Sequence, residues 1–142
     1  MSGEWDYLEL EGLIMARLAA GVAGVRVLSA ADLAGVAEEA QVTPAIHVIY
    51  AGDRIVESDQ YGTARVAQQW LVVVAVRNAR SQRRGEAARS DAGPIAQQVL
   101  ATMKGWEPGS RWSYARRVAA PKPVFSAGFL YVPFQFEMEA IA

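Results

Sequence analysis

The residues from Leu130 to Glu139 alternate strictly between core-forming side chains and others. Leucine, valine, two phenylalanines and methionine take the even positions; tyrosine, proline, glutamine and two glutamates take the odd ones. A period of two places alternate side chains on opposite faces of an extended chain, whereas a helix has a period of about 3.6. The pattern therefore predicts a β-strand, running from about Phe125 to Glu139, with one face in a core.

A second strand is predicted over Ala64 to Arg77, and its pattern is different. Its second half, Trp70 to Val76, is apolar at every position. A strand of this kind needs cover on both faces. A helix could cover the face that carries Trp70, and a neighbouring subunit could cover the face that carries Leu71 and Val73. Leu71 and Val73 are therefore candidate interface residues.

Helical spacing of apolar residues predicts two main helices, from about Glu4 to Ala20 and from about Gly85 to Lys104. Pro94 lies inside the second helix and should kink it or mark a restart, because proline removes a backbone hydrogen bond. A capping-box spacing at Ser29 predicts a short helix that continues to about Ala40, with Val36 among its inward residues.

The remaining segments predict short strands separated by turns. The strands are Val25–Leu28, Ala45–Tyr50, Ile55–Ser58 and Trp112–Val118, with chain reversals at Gly52-Asp53 and Tyr61-Gly62. The predicted order is helix, strand, short helix, three-stranded meander, long helix and two strands. We expect one α+β domain over residues 1–142, with a mixed or antiparallel sheet of five to six strands and two main helices packed on one face.

Composition excludes several classes of function. The chain has 142 residues, no cysteine and a formal net charge of −1. Disulfide frameworks, thiolate zinc sites and cysteine nucleophiles are therefore absent, and no strong field attracts nucleic acid or anionic membrane. The first residues lack a signal-peptide pattern, and the longest apolar run is far shorter than the roughly 20 residues of a membrane-spanning helix. We expect a soluble protein without a cofactor or metal.

No catalytic motif is present. His47 is the only histidine, and a lone histidine without cysteine cannot build the common zinc sites. A small enzyme or ligand-binding domain would need His47 to act with Glu57 or Asp59 in a deep pocket. Glu137 and Glu139 share one face of a strand and could serve glycoside hydrolysis, but the alternation alone explains them as a polar face.

A basic connection joins the long strand to the long helix and contains Arg80, Arg83 and Arg84. These arginines could hold phosphates, but no aromatic residues interleave with them as stacking platforms. A solvated loop or ion pairs with another subunit fit better, since arginine is well suited to interface ion pairs. Trp106 follows the end of the long helix, and it fits a core position and an exposed interface anchor equally well.

Several segments, taken in order, resemble the tail terminator (tail completion) proteins of Mu-like and other long-tailed bacteriophages. The resemblance lies in their order and spacing, because no single segment is diagnostic. The segments are an amphipathic opening helix at 8–18, VRVL at 25–28, PAIHVIY at 44–50, QWLVVV at 69–74 before an arginine-containing stretch, a helix ending in MKGWEP at 103–108, and FSAGFLY at 125–131.

The resemblance implies a non-enzymatic virion assembly protein, made in the host cytoplasm and located at the head-proximal end of the tail. Such proteins form a ring, commonly a hexamer, on the last ring of the tail tube. The ring stops tube growth and provides the surface that meets the head connector, and DNA later passes through its hole without being read by sequence. The expected partners are therefore further copies of the chain, the tail tube protein and the head connector, with no membrane. A head–tail adaptor or another minor tail protein is the alternative.

Overall fold

A computed structural model describes residues 5–77 and 86–142, without the side chains of residues 86–90. Its elements are three α-helices, one 3-10 turn and six strands within the described residues. They are α1 (Leu10–Gly21), β1 (Arg26–Ser29), α2 (Ala30–Leu33), a 3-10 turn (Glu38–Ala40), β2 (Ala45–Ser58), β3 (Ala64–Arg77), α3 (Glu86–Met103), β4 (Arg116–Val118), β5 (Val124–Ser126) and β6 (Phe129–Ile141).

The strands form one sheet in the order β1-β2-β3-β6-β4, and β5 also pairs with β6. The β1–β2 pair is parallel and the other pairs are antiparallel, so the sheet is mixed. The predicted α+β class and the mixed sheet of up to six strands are confirmed.

The core lies between one face of the sheet and the helices α1 and α3. Alternate side chains of β3 and β6 enter this core, as the period-two pattern requires. Residues spaced four apart on each helix meet them. The buried residues include Leu10, Ile14 and Leu18 of α1, Val99 and Met103 of α3, and Trp70, Val72, Val74, Phe136 and Met138 of the sheet.

The predicted three-stranded meander is wrong, because the chain does not reverse at Gly52. Strand β2 runs unbroken to Ser58 and pairs with β3 as one long hairpin. Gly52 has a φ of +102°, and the β2–β3 register shifts between Tyr50 and Gly52. Glycine is favoured both in bulges and in turns because it adopts positive φ values without a steric penalty, so the sequence alone did not distinguish a bulge from a turn. The reversal predicted at Tyr61-Gly62 is confirmed.

The single strand predicted from Phe125 to Glu139 is two strands. Ala127 and Gly128 both have positive φ values and form a turn between β5 and β6. Two consecutive residues with positive φ form a tight hairpin turn. The alternation from Leu130 onward is confirmed as one strand, β6.

The short helix predicted from Ser29 to Ala40 is wrong in its length. The capping box is present, since the Ser29 and Asp32 side chains bond reciprocally to each other's backbone N–H, but α2 stops at Leu33. Val36, predicted to face inward, is exposed. Helix α3 continues through Pro94 without a restart, and the strand predicted from Trp112 is only the three residues of β4.

Candidate functional site

The face of the sheet opposite α1 and α3, here called the open face, is the candidate site. Leu71 and Val73 point to it from the central strand β3, as the alternation predicted. Their register neighbours on the adjacent strands share this face. These neighbours are His47 and Ile49 on β2, and Pro133 and Gln135 on β6.

The open face exposes less apolar surface than the sequence indicated. Val73 is only 9% exposed, so its neighbours within the chain already cover it. Leu71 remains partly exposed. Of the two predicted interface residues, Leu71 is therefore the one that can add an apolar contact to a partner.

One end of the open face holds a buried carboxylate. Glu137 is 5% exposed, and its Oε1 atom lies 2.6 Å from Nη2 of Arg116 and 3.0 Å from Nη2 of Arg54. Its Oε2 atom accepts a hydrogen bond of 2.8 Å from the Gln69 side chain. The four residues come from β6, β4, β2 and β3, so the network joins four strands.

The electrostatics of this network favour an ionised Glu137. Burial alone would raise the pKa of Glu137, but hydrogen bonds from Arg54, Gln69 and Arg116 and the charge of Arg54 lower the pKa below its ordinary value. Both carboxylate oxygens are engaged, Oε1 by the two guanidinium groups and Oε2 by Gln69, and the lowered pKa disfavours the protonated form that a general acid needs. The arrangement supports a structural ion pair and not the glycosidase interpretation of Glu137 and Glu139.

The other end of the open face is partly covered by residues 30–41, which include α2 and the 3-10 turn. The Tyr131 hydroxyl donates a hydrogen bond of 2.6 Å to Glu38 and accepts one of 2.8 Å from Gln41. Burial, and then the bond to Glu38, raises the pKa of Tyr131 to about 12. An open hollow of about 260 Å³ remains, lined by His47, Tyr131 and Leu33 together with Val36, Glu38 and Gln41.

His47 is buried in the wall of this hollow. Its Nε2 atom has no hydrogen-bond partner among the described residues, and burial lowers the pKa of the imidazole. Its ring lies 6.3 Å from that of Tyr131. Burial without a hydrogen-bond partner among the described residues therefore favours the neutral imidazole over the charged one.

The structure does not bring His47 together with Glu57 or Asp59. Glu57 lies ten residues farther along β2, which corresponds to roughly 30 Å of extended chain. Both acidic residues belong to the far end of the β2–β3 hairpin. The enzyme alternative, which needed the three side chains in one pocket, therefore has no geometric support.

Trp106 lies at the edge of the core. It is half-buried, packs against the core cluster, and has the Arg17 guanidinium 5.8 Å from its ring centroid. Its backbone carbonyl accepts a hydrogen bond of 2.7 Å from Ala115. The core role is thus partly met, and a partner contact through the exposed part of the ring stays a prediction.

The basic connection cannot be placed, since Arg80, Arg83 and Arg84 lie outside the described residues. Within 5–77 and 86–142, no cluster of three histidine or acidic side chains is arranged to hold a metal ion. No described helix combines the length and apolar character that a bilayer crossing demands.

Comparison with known proteins identifies the family. No curated protein sequence matches the chain. The profile of one family, described as phage tail terminator protein, matches residues 5–142, which is nearly the whole chain. The resemblance seen in the order of the sequence segments is thereby confirmed, and with it a structural role in the phage tail and a place in the virion. The chain belongs to the phage tail terminator protein family.

Proposed function

We propose that this chain assembles into a closed ring on the end of the phage tail tube, stops tube growth there and presents the surface that joins the tail to the head. The family match over residues 5–142 carries the proposal. The role requires contacts with further copies of the chain, with the tail tube protein and with the head connector. It requires no catalysis.

The open face adds physical support for a ring. Leu71 leaves apolar surface exposed at the centre of a sheet whose other face packs against α1 and α3. Polar features flank Leu71 on both sides of the open face: the Glu137 network lies at one end and the His47 hollow at the other. A head-to-tail ring lets each subunit cover such a surface on the next without leaving an unsatisfied copy.

The ring is expected to be a hexamer, with a central hole through which DNA passes without being read by sequence. A formal net charge of −1 is consistent with this passage, because strong nonspecific binding of DNA depends on an excess of basic residues. The ring therefore has no excess of basic residues that would hold the duplex.

The direct test is control of tube length. Purified tail tube protein is polymerised with and without the chain, and tube lengths and ends are measured by electron microscopy. The proposal expects shorter tubes that each carry a ring at one end. Tubes of unchanged length with bare ends contradict it. Binding to the head connector, with no binding to tubes, supports the head–tail adaptor instead.

A further inference from the structure

The sheet ends on both sides in strand edges that have no strand partner among the described residues. On one side, β1 covers β2 only from Ala45 to Val48, which leaves the outer edge of β2 free from Ile49 to Ser58. This stretch and the turn after it, residues 49–63, are called the distal edge. On the other side, β4 and β5 pair only with β6. The segment 111–125 that contains β4 and leads into β5 is called the β4 edge.

Both edges expose large apolar side chains, although the core of the sheet is well packed. Tyr61, at the tip of the distal edge, is 82% exposed. Single exposed apolar residues are ordinary, but groups of them indicate an interaction surface. The distal edge exposes Ile55, Val56 and Tyr61, and the β4 edge exposes Tyr114, Val124 and Phe125.

The two edges also carry opposite charge. The distal edge has three acidic residues and one arginine, and that arginine, Arg54, is already bound to Glu137. The β4 edge has no acidic residue. Its basic residues are Arg111, Arg116, Arg117 and Lys122. Opposite potentials of this kind steer the correct surfaces together and disfavour like-with-like contacts.

Their positions suit a head-to-tail contact. The two edges lie on opposite sides of one sheet, with β3 and β6 between them. A ring needs two different complementary surfaces on each subunit, whereas a twofold dimer uses one surface twice. The distal edge and the β4 edge are two different surfaces with complementary charge, so they meet the requirement for a ring.

We propose that the distal edge of one copy docks against the β4 edge of the next copy. The inference rests on the proposed ring and names the surfaces that close it. In each contact, exposed apolar side chains such as Tyr61 and Phe125 become buried against the neighbouring copy, and the acidic residues of one edge face the basic residues of the other.

Glu57 and Arg117 are one acidic and one basic charge that remain available for this contact. Asp53 accepts a hydrogen bond from Tyr7 within the chain, and Arg116 is held by Glu137. Among residues 5–77 and 86–142, Glu57 pairs only with Arg65, in an exposed pair at 3.5 Å, and such pairs contribute little to stability. Arg117 is exposed, and its guanidinium lies 5.2 Å from the Phe134 ring centroid.

Reversal of each charge separately, followed by mixing, tests the contact. Glu57→Arg and Arg117→Glu should each weaken self-association by roughly tenfold or more, because like charges then face each other in every contact. An equimolar mixture of the two variants should assemble again. When the variants alternate around the ring, the two substituted side chains face each other in one contact and the two native side chains face each other in the next. Every contact then pairs opposite charges, and only rings with an even number of subunits close.

Glu11→Arg, a charge reversal on α1, is the matched control and should assemble as the wild type does. Thermal unfolding confirms that each variant is folded, and mass photometry, both on free protein and on protein released from tube ends, measures the assemblies. Folded single variants that form normal rings, or a mixture no better than either variant, overturn the interface and leave the ring intact. A wild-type chain that is monomeric both free and on tubes overturns the ring and the interface together.

Discussion

Arg116 and Glu137 lie directly opposite each other in the β4–β6 pair, and their side chains meet at 2.6 Å on the open face of the sheet. Arg54 reaches the same carboxylate oxygen from β2, on the far side of β3. A single carboxylate therefore connects the short edge strand β4 to the long central hairpin. Because β4 has only three residues, this side-chain connection supplements a short backbone ladder.

Replacing Glu137 by glutamine should lower the free energy of unfolding by about 2 kcal/mol, since two arginines lose their shared partner while the site stays buried. Urea unfolding at neutral pH measures the change. The lowered pKa also predicts a pH dependence: the contribution of Glu137 is complete above the ordinary pKa of a glutamate and is lost as the pH falls through the lowered value.

Glu139→Gln is the matched control, because Glu139 lies on the same face of the same strand but is more exposed. Its carboxylate is 4.0 Å from the Arg65 guanidinium, which is a long and weak ion pair. Its change should stay within about 0.5 kcal/mol. Equal losses for the two variants would show that the network adds nothing beyond surface charge.

The crossing of α1 and α3 depends on a glycine. A Cβ atom on Gly21 would come within 2.5 Å of both Cγ2 and Oγ1 of Thr102, so Thr102 cannot clear it by rotating. Gly21→Ala should cost roughly 1–3 kcal/mol despite its better helix propensity. Gly12→Ala, with no atom within 4 Å of the new Cβ, should instead stabilise by about 0.5–1 kcal/mol.

Adding Thr102→Ala to Gly21→Ala should recover part of the loss, because it removes the two colliding atoms. Chemical denaturation of the wild type, the two single variants and the double variant gives the coupling between the positions. Additive effects would place the cost of Gly21→Ala outside this contact.

His47 should make the chain less stable in mild acid. Burial lowers the pKa of His47, so the unfolded chain takes up the proton first and stability falls as the pH drops below about 6.5. Glu38, in the same hollow, is already engaged by Tyr131 and Ser126. His47→Gln, which cannot titrate, should lose less stability than the wild type between about pH 7.5 and about pH 5.5. Parallel loss in both proteins would assign the pH effect to other groups.

The open face should contribute to assembly through Leu71. Leu71→Gln keeps the size of the side chain but removes its apolar contact, and self-association should weaken by roughly tenfold. Leu13→Gln is the control, since Leu13 is 38% exposed on α1, away from the open face. Sedimentation velocity compares the two variants with the wild type. Full assembly of folded Leu71→Gln would limit the ring contact to the sheet edges.

Local patterns were enough to predict α3 and β3 to within one residue and most of α1 and β6, but not β2, which was predicted as two strands. The bounds predicted for β3, around the apolar run that begins at Trp70, are correct. The spacing of Leu10, Leu13, Ile14 and Leu18 indicated the buried side of α1 except at Leu13, which is exposed, and the helix begins at Leu10 and not at Glu4. These signals depend only on the period of the local backbone. They are therefore readable without knowing which elements are neighbours.

Features that depend on pairing could not be read in this way. Arg54 and Arg116 meet at Glu137 only because β2, β3, β6 and β4 adopt that order, and no local signal contains the order. Gln135, Glu137 and Glu139 are three consecutive polar positions on one face of β6, so the sequence does not single out Glu137 as the buried one. The partners themselves became identifiable only with the register.

The irregularity of β2 has a consequence for unassembled chains. Its register against β3 slips between Tyr50 and Gly52 and again between Ile55 and Glu57, so its outward N–H and C=O groups are unevenly spaced and the strand is more strongly twisted. When the β2 edges of two chains approach each other, their backbone N–H and C=O groups are not aligned for a regular hydrogen-bond ladder. The irregular β2 edge therefore disfavours the stacking of unassembled chains into one continuous sheet.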